Sequence, residues 1–345
     1  MKFLVLIGKA SPFILGTAVP IFLVLLWLNL SFFRPVDPGS SDLRYVEIPS
    51  GASSKDIASL LSQSSLVSSS FAARFILDRK LSKENLAVED LIPPGEYEIS
   101  PSLPPKKVIE ALTKSNRISR TFEVLPGMEY FDIAKEINKS GLFGKEETLK
   151  AMTKREILIR LKVEASIPEG YILPDSYTFS KPLTPQEMVE KLIHLSAKNL
   201  LNKFIYFNER TNDLYLDKHK ILTLASIIEK ESPEPAFRKK ISAVYHNRYL
   251  LGLPLESTAA LQYGLKTNRP PSQDEKNAPG PYNTFIINNF PASPICTPSF
   301  ESIEAALHPD ESLALYFFRN KNGEFEFSEK LSDHKLKIET RGQSL

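Results

Sequence analysis

Between Ala10 and Phe33 the chain carries no charged residue over 24 positions. About 20 apolar residues in a helix cross the hydrocarbon core of a bilayer, so this run predicts a transmembrane helix. Pro12 and Pro20 fall in its first half and are tolerable in a membrane helix. Trp27, Phe32 and Phe33 gather at its far end, where an aromatic belt would lie. Lys2 and Lys9 precede the run, while Arg34, Asp37, Asp42 and Arg44 follow it with balanced sign. The positive-inside rule then predicts a cytoplasmic tail at 1–9 and a span at 10–33. Everything after Arg34 is expected outside, most simply beyond a bacterial inner (plasma) membrane. A cleaved signal peptide is the alternative, but the run is too long for one and no A-x-A site follows it.

The remaining length of the 345-residue chain allows two modest domains. A formal net charge of +2 gives no electrostatic reason to expect nucleic acid. Cys296 is the single cysteine, which excludes an internal disulfide and a cysteine-based metal site. The five histidines show no HExxH or HxH spacing, so no metal site is expected.

A Pro/Gly/Ser-rich linker at 34–44 leads into a pattern that occurs twice. Glu47–Ala58 reads EIPSGASSKDIA and Glu123–Ala134 reads EVLPGMEYFDIA. Each predicts a short strand, a Pro/Gly turn and a helix opened by Asp-Ile-Ala. Ile57, Ala58 and Leu61 share one helix face, and Ile133, Ala134 and Ile137 share the other. A second element, IPPGEY from Ile92 and IPEGY from Ile167, recurs 75 residues on. Two related α+β modules are therefore expected, at 45–118 and 119–195. Two copies are too few for a solenoid. Such modules bind an extended polymer or simply space the rest of the chain from the membrane. In the second, Tyr171, Asp175 and Tyr177 sit in a Pro-containing loop that suits a sugar by stacking and hydrogen bonding, or is an ordinary turn.

Residues 196–340 read as a mainly helical core. A long amphipathic helix over 183–207 is followed by His219–Pro233, HKILTLASIIEKESP. With Leu222 as i, Ala225 is i+3 and Glu229 is i+7, so Glu229 lies on the apolar stripe. Glu231 points elsewhere, about 200° further round. A carboxylate on a buried stripe either pairs with a cation or rises in pKa towards the range of a general acid. A further helix over 237–251 puts Ile241, Val244, Tyr245 and Arg248 on one face. Glu256 and Ser257 occupy a polar break between apolar runs. The long loop 266–284 ends in Tyr282-Asn283-Thr284, an aromatic plate with amide and hydroxyl donors that suits carbohydrate or a turn. Leu315–Arg319 and Glu324–Ser328 flank Lys321-Asn322-Gly323 as a β-hairpin, with a polar helical tail carrying His334.

Taken in order, ASIIEKES at 225–232, IPEGYILPDSY at 167–177, YNTF at 282–285, FPASPICTP at 290–298, SIEAALHP at 302–309 and LYFF at 315–318 make the chain resemble the YceG-like family, membrane-anchored endolytic murein transglycosylases. The resemblance covers almost the whole chain. It implies an α+β fold: the anchor, a LysM-like module at 45–118, then a catalytic domain at 119–340. It also implies Glu229 as the catalytic residue. The implied substrate is nascent peptidoglycan, cut at the MurNAc–GlcNAc β-1,4 bond to leave a 1,6-anhydro end. Peptidoglycan strands and the cell-wall synthases (penicillin-binding proteins) are the implied partners. The implied lytic transglycosylase needs one carboxyl acting twice and no metal or organic cofactor, whereas most glycoside hydrolases need two carboxyls. Where the family reads L-Q-[ST]-D-P-T, this chain has Leu255-Glu256-Ser257-Thr258-Ala259-Ala260. Phe325 replaces a His of the hairpin, and Ser299 a Gly after the Pro-rich stretch. Glu256 thereby opens a hydrolytic alternative, with Glu229 as its partner. A wall-binding scaffold without catalysis is the other alternative.

Overall fold

The computed structural model describes residues 12–113, 117–208 and 216–341, with side chains over 20–113, 117–199 and 216–341. The expected tail at 1–9 and the first two residues of the expected span lie outside the described residues. The chain divides into two units, residues 1–120 with 179–183 and residues 121–178 with 184–345.

The first unit opens with α1 (Pro12–Phe33). No helix among the described residues is long and apolar enough to cross a membrane. Phe22, Leu23, Val24 and Leu25 of α1 are nevertheless mostly exposed. Then follow β1 (Arg44–Ile48), α2 (Ser54–Gln63), α3 (Ser70–Glu84), α4 (Val88–Leu91), β2 (Gly95–Ile99) and α5 (Pro105–Thr113). The two strands pair antiparallel, with Val46 opposite Tyr97. Ile48, Ile57, Leu61, Leu77, Tyr97, Ile109 and Leu112 form the core beneath them. The expected module at 45–118 falls within this unit. Its α2 starts as the Asp-Ile-Ala signature predicts: Asp56 accepts from the Ser53 backbone N–H at 3.0 Å, and the next two residues turn inward.

The second unit repeats that opening. β3 (Arg120–Val124) leads to α6 (Tyr130–Lys139), where Asp132 accepts from the Glu129 N–H at 3.3 Å and Ile133, Ala134 and Ile137 are buried. Two short helices absent from the sequence reading follow, α7 (Lys145–Met152) and α8 (Arg155–Arg160). β4 (Asp175–Phe179) then pairs with β3, as β2 does with β1. The helical core comprises α9 (Pro185–Asn208), α10 (Lys218–Glu231), α11 (Pro235–Leu250), α12 (Thr258–Leu265), α13 (Gln273–Asn277) and α14 (Phe300–Leu307). A hairpin of β5 (Tyr316–Arg319) and β6 (Phe325–Ser328) and the terminal α15 (Leu331–Arg341) close the unit.

The helix α10 is the axis of this unit. Every residue from Ile221 to Ile228 is buried, so it is enclosed on all faces rather than along the single stripe expected. Helices α11, α12 and α14 pack on it. The extended stretch 290–299 covers the rest, with the Ile295 N–H donating to the Ser226 hydroxyl at 3.0 Å. Polar residues tolerate this enclosure because they bond within the helix: Thr223 Oγ1 donates to His219 O and Ser226 Oγ to Thr223 O.

Candidate active site

The end of α10 sends its two glutamates to different places. Glu229 is locked in the interior. Its Oε1 accepts from Arg238 at 3.0 Å, and its Oε2 accepts from the Ser299 N–H at 2.9 Å and the Ser299 hydroxyl at 2.5 Å. Both charged side chains are over nine-tenths buried, at 8% and 6% exposure. Arg238 also donates to Ser232 O and to Ser299 Oγ. The network ties α10 to α11 and to the start of α14. Ser299 supplies its hydroxyl to both charged partners.

Two residues on, Glu231 lines a cavity of ≈ 250 Å³ together with Tyr245, Arg248, Glu256, Lys276 and His334. Tyr245 Oη and Ser257 Oγ both donate to its Oε1, at 3.0 and 3.1 Å. Oε2 takes no hydrogen bond from the described residues. Burial pushes the Glu231 carboxyl above its ordinary range, against the pull of those two hydroxyls. Tyr245 stays a phenol: burial, with the Glu231 charge beside it, raises it well above its usual value.

The frame around this carboxyl is built by the motifs that suggested sugar contacts. Ser257 caps α12 by accepting from the Ala260 N–H. Its own N–H donates to Thr284 Oγ1 at 2.9 Å, and the Glu256 N–H donates to Thr284 O at 2.9 Å. Asn283 is 1% exposed and spends its amide on the carbonyls of Glu275, Lys276 and Ala278, fastening the end of α13. Asn283 and Thr284 are thus buried scaffold beneath the cavity rather than sugar contacts. Glu256 lines the cavity with φ +55°, in the left-handed region, and pairs with Arg248 at 2.8 Å. Arg248 is itself fixed by donation to Pro254 O and Leu315 O. His334 stands against the Tyr316 ring, and burial with the nearby Arg248 charge lowers its pKa, so it is neutral near pH 7.

The loop 167–177 contributes differently from the expectation. Tyr171 and Tyr177 are 7% and 3% exposed and face inward. Tyr171 bonds His219 Nδ1 at 2.8 Å; Tyr177 donates to Leu173 O and shares a hydrogen bond with Ser196. Asp175 is exposed, accepts from the Ser176 N–H and the Asn199 amide, and does not line the Glu231 cavity. None of the three joins Glu231. Gly170 is required here: with φ +73°, a Cβ would fall 2.4 Å from Pro294.

The same loop carries a buried carboxyl that its sequence pattern does not single out. Glu169 is 1% exposed and accepts from the Tyr263 hydroxyl at 2.9 Å and the Tyr130 N–H at 3.1 Å. Burial outweighs both donors and lifts its carboxyl to about 8. The folded-state pKa is raised, so its stabilising contribution is complete below about 4.5 and is lost as pH climbs through about 8. The loss amounts to up to about 5 kcal/mol. Glu169→Gln keeps the shape and removes the charge. Its melting temperature is expected to match the parent at pH 5 and to exceed it at pH 9; parallel curves would show that Glu169 does not titrate there.

Residues 46–340 match the sequence model of the YceG-like family. An endolytic murein transglycosylase of Bacillus subtilis (strain 168) is 28% identical over 322 residues, covering 88% of this chain and 86% of that one. One of Streptococcus pneumoniae (strain ATCC BAA-255 / R6) is 26% identical; the match spans 88% of this chain and 59% of that longer relative. The crystal structure of a YceG-like protein of Listeria monocytogenes superimposes with a TM-score of 0.56 at 26% identity, over 86% of this chain and 99% of that one.

Proposed function

The chain belongs to the YceG-like family, and on that premise we propose that it is an endolytic peptidoglycan lytic transglycosylase whose acid and base is Glu231 rather than Glu229. The observation that carries the assignment is the free Oε2 of a carboxyl with raised pKa, facing a cavity and steadied through Oε1 by Tyr245 and Ser257. Protonated Glu231 gives its proton to the glycosidic oxygen as the C1–O bond of MurNAc breaks. The carboxylate then takes the C6 hydroxyl proton while that oxygen bonds to C1. A 1,6-anhydro ring results, no water is consumed, and the carboxyl ends protonated as it began, ready for the next turnover. Glu256, drawn to Arg248, places negative charge beside the developing oxocarbenium ion. Glu229, held by a guanidinium and two further donors, has both carboxyl oxygens engaged and does not line the cavity.

We place the active unit outside a bacterial plasma membrane, tethered by residues 10–33. The uncharged run and the outward-facing apolar side chains of α1 support the tether. The strand–helix–strand module of the first unit supports a LysM-like role ahead of the catalytic domain.

Incubating residues 34–345 with peptidoglycan and weighing the released muropeptides tests the reading. Anhydro-muramyl ends are expected. Reducing ends would replace it with hydrolysis using Glu231 and Glu256, which share the cavity. No cleavage would leave a wall-binding scaffold.

A further inference from the structure

A second cavity in the same unit, ≈ 650 Å³, opens beside the first. Glu129, Tyr130, Phe131, Lys230, Tyr263 and Tyr282 line it. Lys230 immediately precedes Glu231 on α10. Thr258 lines the Glu231 cavity and Ala259 lines this one, so the first turn of α12 stands between them.

Its walls are held from behind by a group that the cleavage chemistry does not use. Buried Glu169 grips Tyr263 through its hydroxyl and Tyr130 through its backbone N–H. Tyr282 is fixed by Ser293 at 2.6 Å and meets Tyr263 edge-on at 5.0 Å. Gly264 permits that approach, since a Cβ there would fall 2.7 Å from Tyr282. Rigid aromatic plates of this kind are what a binding site needs.

The cavity also presents one charge of each sign. Lys230 Nζ and Glu129 Oε1 stand 3.7 Å apart, and each side chain is about one-third exposed, at 34% and 35%. That separation is loose for an ion pair and leaves both groups able to take a further partner. A neutral sugar has no use for the two charges. A short peptide with free carboxylates and a free amine does.

Resting on the transglycosylase reading, we propose that this cavity binds the peptide branch of the peptidoglycan strand, carried by the muramyl residue at the cleavage point. Lys230 takes a branch carboxylate, Glu129 the amine of its third residue, and the tyrosine walls the alanine methyls. A branch of three or four residues spans roughly 10–14 Å when extended, and the two cavities are lined by sequence neighbours, Glu231 and Thr258 for one, Lys230 and Ala259 for the other.

Two measurements test this. The first titrates the whole chain calorimetrically with the free tripeptide L-Ala-γ-D-Glu-diaminopimelate, which requires no cleavage. Saturable binding is expected, weakened roughly tenfold in Lys230→Gln and again in Glu129→Gln, as the loss of one charged hydrogen bond implies. The second compares KM on uncrosslinked strands bearing peptides with KM on the same strands stripped by an amidase. The parent chain should prefer the branched strands by about tenfold, and the preference should collapse in both variants. Absence of tripeptide binding by the folded parent chain, equal KM values on the two substrates, or variants that keep the preference would each overturn the proposal. A chain that binds the tripeptide but cleaves nothing would sink the transglycosylase reading and leave the peptide site standing.

Discussion

Glu231→Gln is expected to lower strand cleavage by roughly 10³-fold, the scale of a lost general acid–base group, with the melting temperature close to that of the parent. The amide keeps the acceptor that Tyr245 and Ser257 hold, so the fold has little reason to respond. It neither donates as an acid nor accepts as a base. The pH profile follows from the same group. Cleavage needs Glu231 protonated at the outset, and burial raises its pKa, so kcat should fall as pH rises through that raised value. A Glu231→Gln chain that still released anhydro-muropeptides would remove Glu231 from the reaction.

Glu229→Ala is expected to do the reverse and act first on stability. It strips the partner from Arg238, a guanidinium only 6% exposed, and orphans the Ser299 donors. Breaking one side of a buried ion pair costs about 3–5 kcal/mol, so the second unit should melt well below the parent. The milder Glu229→Gln keeps an acceptor and separates the two roles. Loss of cleavage by folded Glu229→Gln, together with activity in Glu231→Gln, would return the acid to Glu229. A Glu229→Ala chain with an unchanged melting temperature would show that the Arg238 network is not structural.

Much of the fold was legible in local pattern. The duplicated Asp-Ile-Ala starts, the apolar faces they open and the terminal hairpin all depend on residues within a few positions of one another, where periodicity and capping act. Helices α7 and α8 were not, because they are short and offer little period to count. The long loop before Tyr282 hid α13, a single capped turn begun by Ser272. Tyr171, Tyr177, Asn283 and Thr284 have side chains that suit sugar. Nothing local says that their hydrogen bonds are already spent on the protein's own backbone and neighbouring side chains. Tyr245 and Arg248 did share a predicted helix face, and that face forms part of the wall of the first cavity.

The amino-acid order alone determined the uncharged run, the repeated module, the family and the separation of Glu229 from Glu231 by two helical positions. That separation guarantees that the two carboxyls face different surroundings. Which surroundings each meets depends on groups far along the chain: Arg238 and Ser299 for one, Tyr245, Ser257 and an open cavity for the other. Burial and charge pairing set whether a glutamate is a structural anion or an acid, and both are properties of packing. The tertiary structure therefore decided what helical spacing could not: the carboxyl on the apolar stripe is paired with Arg238 and Ser299, and its neighbour faces a cavity.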